Sequence, residues 1–166
     1  MSFVGILCTP KQETYIKQIL QQYVPLGNLI ILKEENMENF KNITFETVAI
    51  FSNQGSLFHK VEILEKIMEK AKYVIMNADE PIVLKPHTNV NGNVITYGFN
   101  TKSTITASSV KEDHILLCIQ RGFQNRYAKM LEPQEILVPL QGHKMNTSVL
   151  MGLETIHLIY EKRKEN

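Results

Sequence analysis

The chain has 166 residues, enough to bury the core of one domain over residues 1–166. Its hydrophobic fraction of 43% and charged fraction of 21% exclude a disordered chain. With 18 basic and 17 acidic side chains the net charge is +1, so nothing electrostatic drives it toward nucleic acid or an anionic membrane.

In chain order, Phe3–Cys8 reads as a buried strand. Residues 13–23 then place Tyr15, Ile16, Ile19, Leu20 and Tyr23 on one helical face. Pro25 and Gly27 break the chain before a short strand at Leu29–Leu32. Residues 34–43 are polar and carry neither period. Thr47–Phe51 is a third apolar strand, followed by the turn "SNQGS". Leu57, Val61, Leu64 and Met68 recur at helical spacing over 57–70, and Tyr73–Met76 is the next strand. Continuous apolar strands separated by helices imply a parallel sheet covered on both faces.

The second half changes character. "GNVITYGF", "KSTITASSV", "HILLCIQR" and "QEILVPL" are strand-like runs with turns and no helix between them, a pattern that favours antiparallel pairing. A helix over about 147–162 closes the chain, with Val149, Leu153, Ile156 and Tyr160 on its core face and Asn146 or Thr147 as its cap. The expectation is an α/β protein: a three-layer, mainly parallel sheet with flanking helices, plus a small antiparallel patch. Cys8 and Cys118 both lie in apolar runs and read as small buried hydrophobes. No apolar run reaches bilayer length and no signal-peptide pattern opens the chain, so a soluble, cytoplasmic protein is expected.

Several punctuating segments carry more information. "VIMNADEP" (Val74–Pro81) is followed by "NVITYGF" (Asn93–Phe99); "VAIFSNQGS" precedes them and "VPLQGHKMNTSVLMGLETI" follows. Their order resembles the central, ATP-binding domain of the Mur ligases, the amino-acid ligases of peptidoglycan synthesis, in a shortened and degenerate form. That family carries N-x-D-D-P then Y-G-F, a strand ending in T-N-x-G, and a loop L-x-G-x-H-N-x-x-N before a helix. The resemblance covers nearly the whole chain and implies a phosphate-loop-derived fold. It also implies that the family's N-terminal UDP-binding domain and its C-terminal domain are absent.

Laid on the family's G-(I/V)-T-G-T-N-G-K-(T/S)-T, the opening "VGILCTPKQET" keeps Gly5, Ile6, Thr9 and Thr14. The glycine positions become Cys8 and Lys11, the lysine becomes Gln12, and the magnesium-binding hydroxyl becomes Glu13. A phosphate loop needs bare glycines so that successive amides can turn toward the anion. A Cβ at Cys8 and a fixed-φ Pro10 without an N–H oppose that, and Gln12 brings no charge to the β- and γ-phosphates. Further on, ungapped alignment puts the family's D-H pair on Leu57 and Phe58, with His59 one residue late. Its adenine-contacting His and two Asn fall on Lys144, Met145 and Ser148, with Asn146 off by one.

The resemblance therefore implies a non-catalytic Mur-ligase-like domain that binds a protein partner or a small, UDP-muramyl-type ligand in cell-wall metabolism. No catalytic residue, no metal ligand and no cofactor is assigned. A vestigial nucleotide site would comprise Thr9, Lys11, Gln12, Glu13, Thr14, Asn53, Asn77, Asp79 and Asn146. Asn77 and Asp79 equally suit a side-chain-bonded turn, Asn146 a helix cap, and His59 a solvent-facing helix start. The alternative is a reduced nucleotide-binding, ligase-like enzyme using Lys11, Glu13, His59 and Asp79, with ATP and Mg as cofactors. A third possibility is an oligomeric module with Met68, Met76, Met130, Met145 and Met151 at an interface. Oligomeric state is not legible. Asp113–His114 reads as a poor dyad, because strand neighbours face opposite ways. "RGFQNR" (Arg121–Arg126) reads as a solvated hairpin tip. His87, His143 and His157 lack metal-ligand spacing.

Overall fold

The structure is a computed structural model that describes residues 2–52, 59–80, 90–140 and 146–162. In chain order the elements are β1 Val4–Leu7, α1 Pro10–Leu20, β2 Leu29–Ile31, α2 Met37–Phe40, β3 Thr47–Ile50, α3 Val61–Lys70, β4 Tyr73–Asn77 and β5 Asn93–Tyr97. There follow β6 Ile105–Val110, β7 His114–Ile119, β8 Phe123–Gln124, β9 Met130–Leu131, β10 Gln134–Pro139 and α4 Thr147–Tyr160.

Eight strands form one sheet in the order β2-β1-β3-β4-β5-β6-β7-β10, and β8 and β9 make a separate antiparallel pair. Neighbours from β2 to β6 are parallel; β7 and β10 are antiparallel additions. All four residues of β1 and of β3 are buried, as central strands covered on both faces must be. Right-handed crossovers explain the two covering layers. The path from β1 to β2 runs one way along the sheet and the path from β3 to β4 runs the other, so their helices land on opposite faces. Ile16 and Leu20 of α1 and Leu153 and Ile156 of α4 pack over Val4, Ile6, Ala49 and Ile75. Met37 of α2 and Leu64, Ile67 and Met68 of α3 pack over Leu7, Val48, Ile50 and Val74.

Three features differ from the sequence expectation. First, β5 belongs to the parallel part, paired with β4 along its length but with β6 only at Tyr97↔Ile105. β6 thus begins where β5 ends, and a seven-residue link without a helix suffices. Second, β6, β7 and β10 extend the main sheet, because Ile105, Ile115, Leu117, Ile119 and Val138 enter the same core as α1 and α4. The separate antiparallel patch is β8–β9 instead. Third, the hairpin at Arg121–Arg126 is anchored. Arg126 Nε lies 3.2 Å from Glu46 Oε1, and its guanidinium lies 4.7 Å from the centre of the Tyr160 ring. Arg121 donates to the Lys102 carbonyl. The polar stretch 34–43 holds α2 because Met37 is fully buried and Asn36 bonds both the Lys33 amide and the Ile31 carbonyl.

α4 is buried almost all round, beyond the four positions its periodicity selects. Its start is capped by Asn146, whose Oδ1 accepts from the Ser148 amide at 2.8 Å. Near its end Tyr160 shares a 2.9 Å hydrogen bond with the buried Thr47 hydroxyl. Between them, a Cβ built on Gly152 would stand 2.7 Å from the Phe51 ring and 2.8 Å from the Tyr97 ring. Cys8 is buried just after β1, whereas Cys118 in β7 is only half-buried, and no disulfide joins them.

Gly152→Ala is expected to destabilise despite alanine's better helix propensity. Overpacking against two core rings costs about 1–3 kcal/mol, against a propensity gain of at most about 1. A urea titration should show a lower midpoint at unchanged slope. His157, stacked on Tyr23 at 4.4 Å between ring centres, lies 3.1 Å from Glu154 and titrates above the ordinary 6.5; the Glu154 hydrogen bond outweighs the opposing effect of burial. A group raised in the folded state stabilises fully below its unfolded value and loses that contribution as pH rises through the folded one. Unfolding free energy should therefore fall above pH 6.5, by less in His157→Phe than in the parent, as followed by chemical denaturation across neutral pH.

Candidate functional site

In an open parallel sheet, ligands bind beyond the carboxyl ends of the strands where the winding direction reverses. Here the reversal falls between β1 and β3. The described residues that follow those strands are Cys8–Thr9 and Phe51–Ser52, so the reversal point falls at the opening turn singled out in the sequence. Asn53, together with Leu57, Phe58, Lys144 and Met145, lies outside the described residues.

Only two residues separate β1 from α1. Thr9 is extended (φ −74°, ψ 156°) and serves as the helix cap, with Pro10 at the first helical position, where a missing N–H costs nothing. The Thr9 amide donates to Gln12 Oε1 at 3.0 Å, and the Gln12 amide donates to the Thr9 carbonyl at 3.0 Å. The turn thus closes on itself through the Thr9 amide, the Thr9 carbonyl and both ends of Gln12. Glu13 is also engaged: Oε1 lies 2.9 Å from Lys17 Nζ and Oε2 lies 3.2 Å from Lys33 Nζ. Hydrogen bonds from Lys17 first and Lys33 second hold its carboxyl below the usual range. Lys11 and Thr14 are exposed. Burial, reinforced by Glu13, pushes the Cys8 thiol up to about 11, so it is protonated at neutral pH and is no nucleophile.

Asn77 and Asp79 stand at the end of β4, one strand beyond β3. Asn77 is 4% exposed. Its Nδ2 donates to Ser148 Oγ at 3.1 Å and to the Phe51 carbonyl at 3.4 Å, and its Oδ1 accepts from the Asp79 amide at 3.0 Å. One side chain thereby ties β3, β4 and the start of α4 together. The Asp79 carboxylate accepts from the Phe99 amide at 2.7 Å and the Asn100 amide at 3.1 Å. It lies so close to Gly98 that a Cβ there would come within 2.7 Å of Oδ2, and Gly98 itself has φ +149°. The N-x-D and Y-G-F segments are therefore one unit, in which the acid needs the bare glycine beside it. Asn146, the α4 cap, reaches this cluster through Ser148. Thus the structure gathers Asn77, Asp79 and Asn146 around one corner and Thr9–Thr14 around another, with β3 between them.

His59 is exposed, two residues before α3, and its backbone amide donates to the Glu34 carboxylate. Asp113 and His114 do pair, at 2.7 Å, contrary to the alternation argument. Asp113 precedes β7 and so is free of strand geometry, and its side chain is 83% exposed. Among the described residues no three His, Cys, Asp or Glu side chains lie together as metal ligands. Nor is any helix of those residues long and apolar enough to cross a membrane. A shallow cleft of about 520 Å³ beside Glu46, Lys70 and Lys72 lies at the opposite, N-terminal edge of the sheet. Two partners were not legible: Lys33 is twenty residues from Glu13, and Ser148 seventy-one from Asn77. No family model matches this chain, and no characterised protein matches it in sequence.

Asn77→Ala would leave the Phe51 carbonyl and Asp79 amide without their buried partner, at about 1–3 kcal/mol. Gly98→Ala should cost a similar amount, about 1–3 kcal/mol, through backbone strain and displacement of the Asp79 carboxylate. Because both act at one corner, the double variant measured by urea unfolding should lose less than the sum of the two.

Proposed function

We propose that this chain is a catalytically silent Mur-ligase-like domain that works by binding a protein partner or a small ligand, with cell-wall metabolism as its setting. The observation that carries the proposal is the self-closed turn between β1 and α1. Seating a triphosphate there requires amides that point outward, a lysine at the bridging phosphates and a hydroxyl for magnesium. In their places stand a Thr9 amide spent on Gln12, an imino nitrogen at Pro10, a neutral carboxamide at Gln12 and a carboxylate bound to two lysines. Magnesium–ATP fits these residues poorly, and no reaction step is assigned to it. The position of this turn at the sheet's reversal point supports a small-ligand role for the same edge. A muramyl-type ligand with anionic phosphates would meet Lys17 and Lys33 only after displacing Glu13.

The alternative is a reduced nucleotide-binding enzyme, which would need Lys11, Glu13, His59 and Asp79 to act together. The ion pairs of Glu13 and the two amide bonds of Asp79 count against it.

Thermal unfolding with and without magnesium–ATP separates the two. A ligand present at about 100 times its Kd stabilises the native state by roughly 2.7 kcal/mol, a shift of several degrees. The proposal predicts no shift at millimolar magnesium–ATP. A clear upward shift, abolished by Lys11→Ala or Glu13→Ala, would establish the alternative.

A further inference from the structure

Away from the strand ends, α1, α4 and the edge strand β10 enclose a cavity of about 360 Å³. That size lies within the range of small-molecule sites. Its lining is mixed: Ile19, Leu150 and Leu153 from the helices and Val138 from the sheet edge give it an apolar side, and Tyr15 and Tyr23 add aromatic rings. Polar groups come from Gln18, Gln22 and the carboxylate of Glu154. Among the described residues no lysine or arginine lines it. Glu154 Oε2 lies 3.1 Å from His157 Nδ1, and its Oε1 has no hydrogen-bond partner among the described residues. Glu154 and Glu161 add to burial in raising the Tyr23 phenol, while His157, the partner of Glu154, covers one face of the Tyr23 ring.

From this geometry we infer that the cavity is a binding site for a small organic ammonium ion with an aromatic or aliphatic body. The cation would take the open Glu154 oxygen, the body would lie among the apolar side chains, and the tyrosine rings favour a positive head group by their negative faces. The site is separate from the turn at the reversal point of the sheet and does not depend on the Mur-ligase reading.

Two probes of the same body and opposite charge test it, 2-phenylethylamine and phenylacetate, titrated into the full chain and followed by amide nitrogen–proton NMR. The amine is expected to give saturable shifts at Gln18, Gln22 and Glu154 with a Kd on the order of 1 mM, about ten-fold tighter than phenylacetate. Glu154→Gln should abolish that preference. Gln18→Trp, a substitution at an exposed position on the cavity lining, should weaken the amine by filling its space and serves as the deciding variant if Glu154→Gln does not fold. Equal binding of the two probes, no saturable shift at these residues, or a preference that survives a folded Glu154→Gln would each overturn the inference. So would unweakened amine binding in Gln18→Trp.

Discussion

A single side chain governs the most informative part of this molecule. Gln12 reaches back to the Thr9 amide and closes the turn that leads from the first strand into the first helix. Its geometry follows from the sequence one step at a time. Pro10 is tolerated because the first helical N–H is dispensable, Thr9 adopts the extended conformation of a cap, and the residue three positions later has a carbonyl long enough to return. The two amides used in this closure, of Thr9 and Gln12, are donors of the kind an anion-binding loop would leave open. Glu13 carries the same logic outward, tying the helix to the end of the second strand through Lys33.

The neighbouring corner is built alike. Asn77 joins two strands to the last helix, and Asp79 fills the space beside Gly98 while capping two amides of the next turn. Side chains at the carboxyl edge of a parallel sheet are well placed to meet ligands, yet here they hold the edge together. α4 approaches the sheet closely at Gly152, and its far end is bonded to the opposite edge through the buried Tyr160–Thr47 pair.

The periodic signals in the sequence reported the parallel half well, because buried strands such as Val4–Leu7 and Thr47–Ile50 need apolar side chains on both faces. In the second half they matched the antiparallel pairing of β6, β7 and β10 but misplaced β5, for a physical reason. Strand alternation records which residues are buried but not which neighbour a strand pairs with, so nothing distinguished Asn93–Tyr97, a parallel strand, from the antiparallel runs after it. The anchoring of Arg126 on Glu46 was invisible because eighty residues separate them and neither lies in a patterned segment. At the candidate site, substitutions within one motif were legible residue by residue. The distant partners were not: Lys33, the second lysine on Glu13, and the Ser148 hydroxyl on Asn77 come from elsewhere in the chain. Only the pairing of Asp79 with Gly98 left a trace, as two short motifs in fixed order.

The central claim is that the turn at residues 8–14 is sealed by its own atoms against a polyphosphate. It is tested most directly by adding a magnesium complex of a non-hydrolysable ATP analogue while watching the backbone amide signals of those residues by NMR. The account predicts that Thr9 and Gln12 stay where they are at every concentration. Saturable movement of those two signals, with the Gln12 side-chain amide released as the analogue binds, would contradict it.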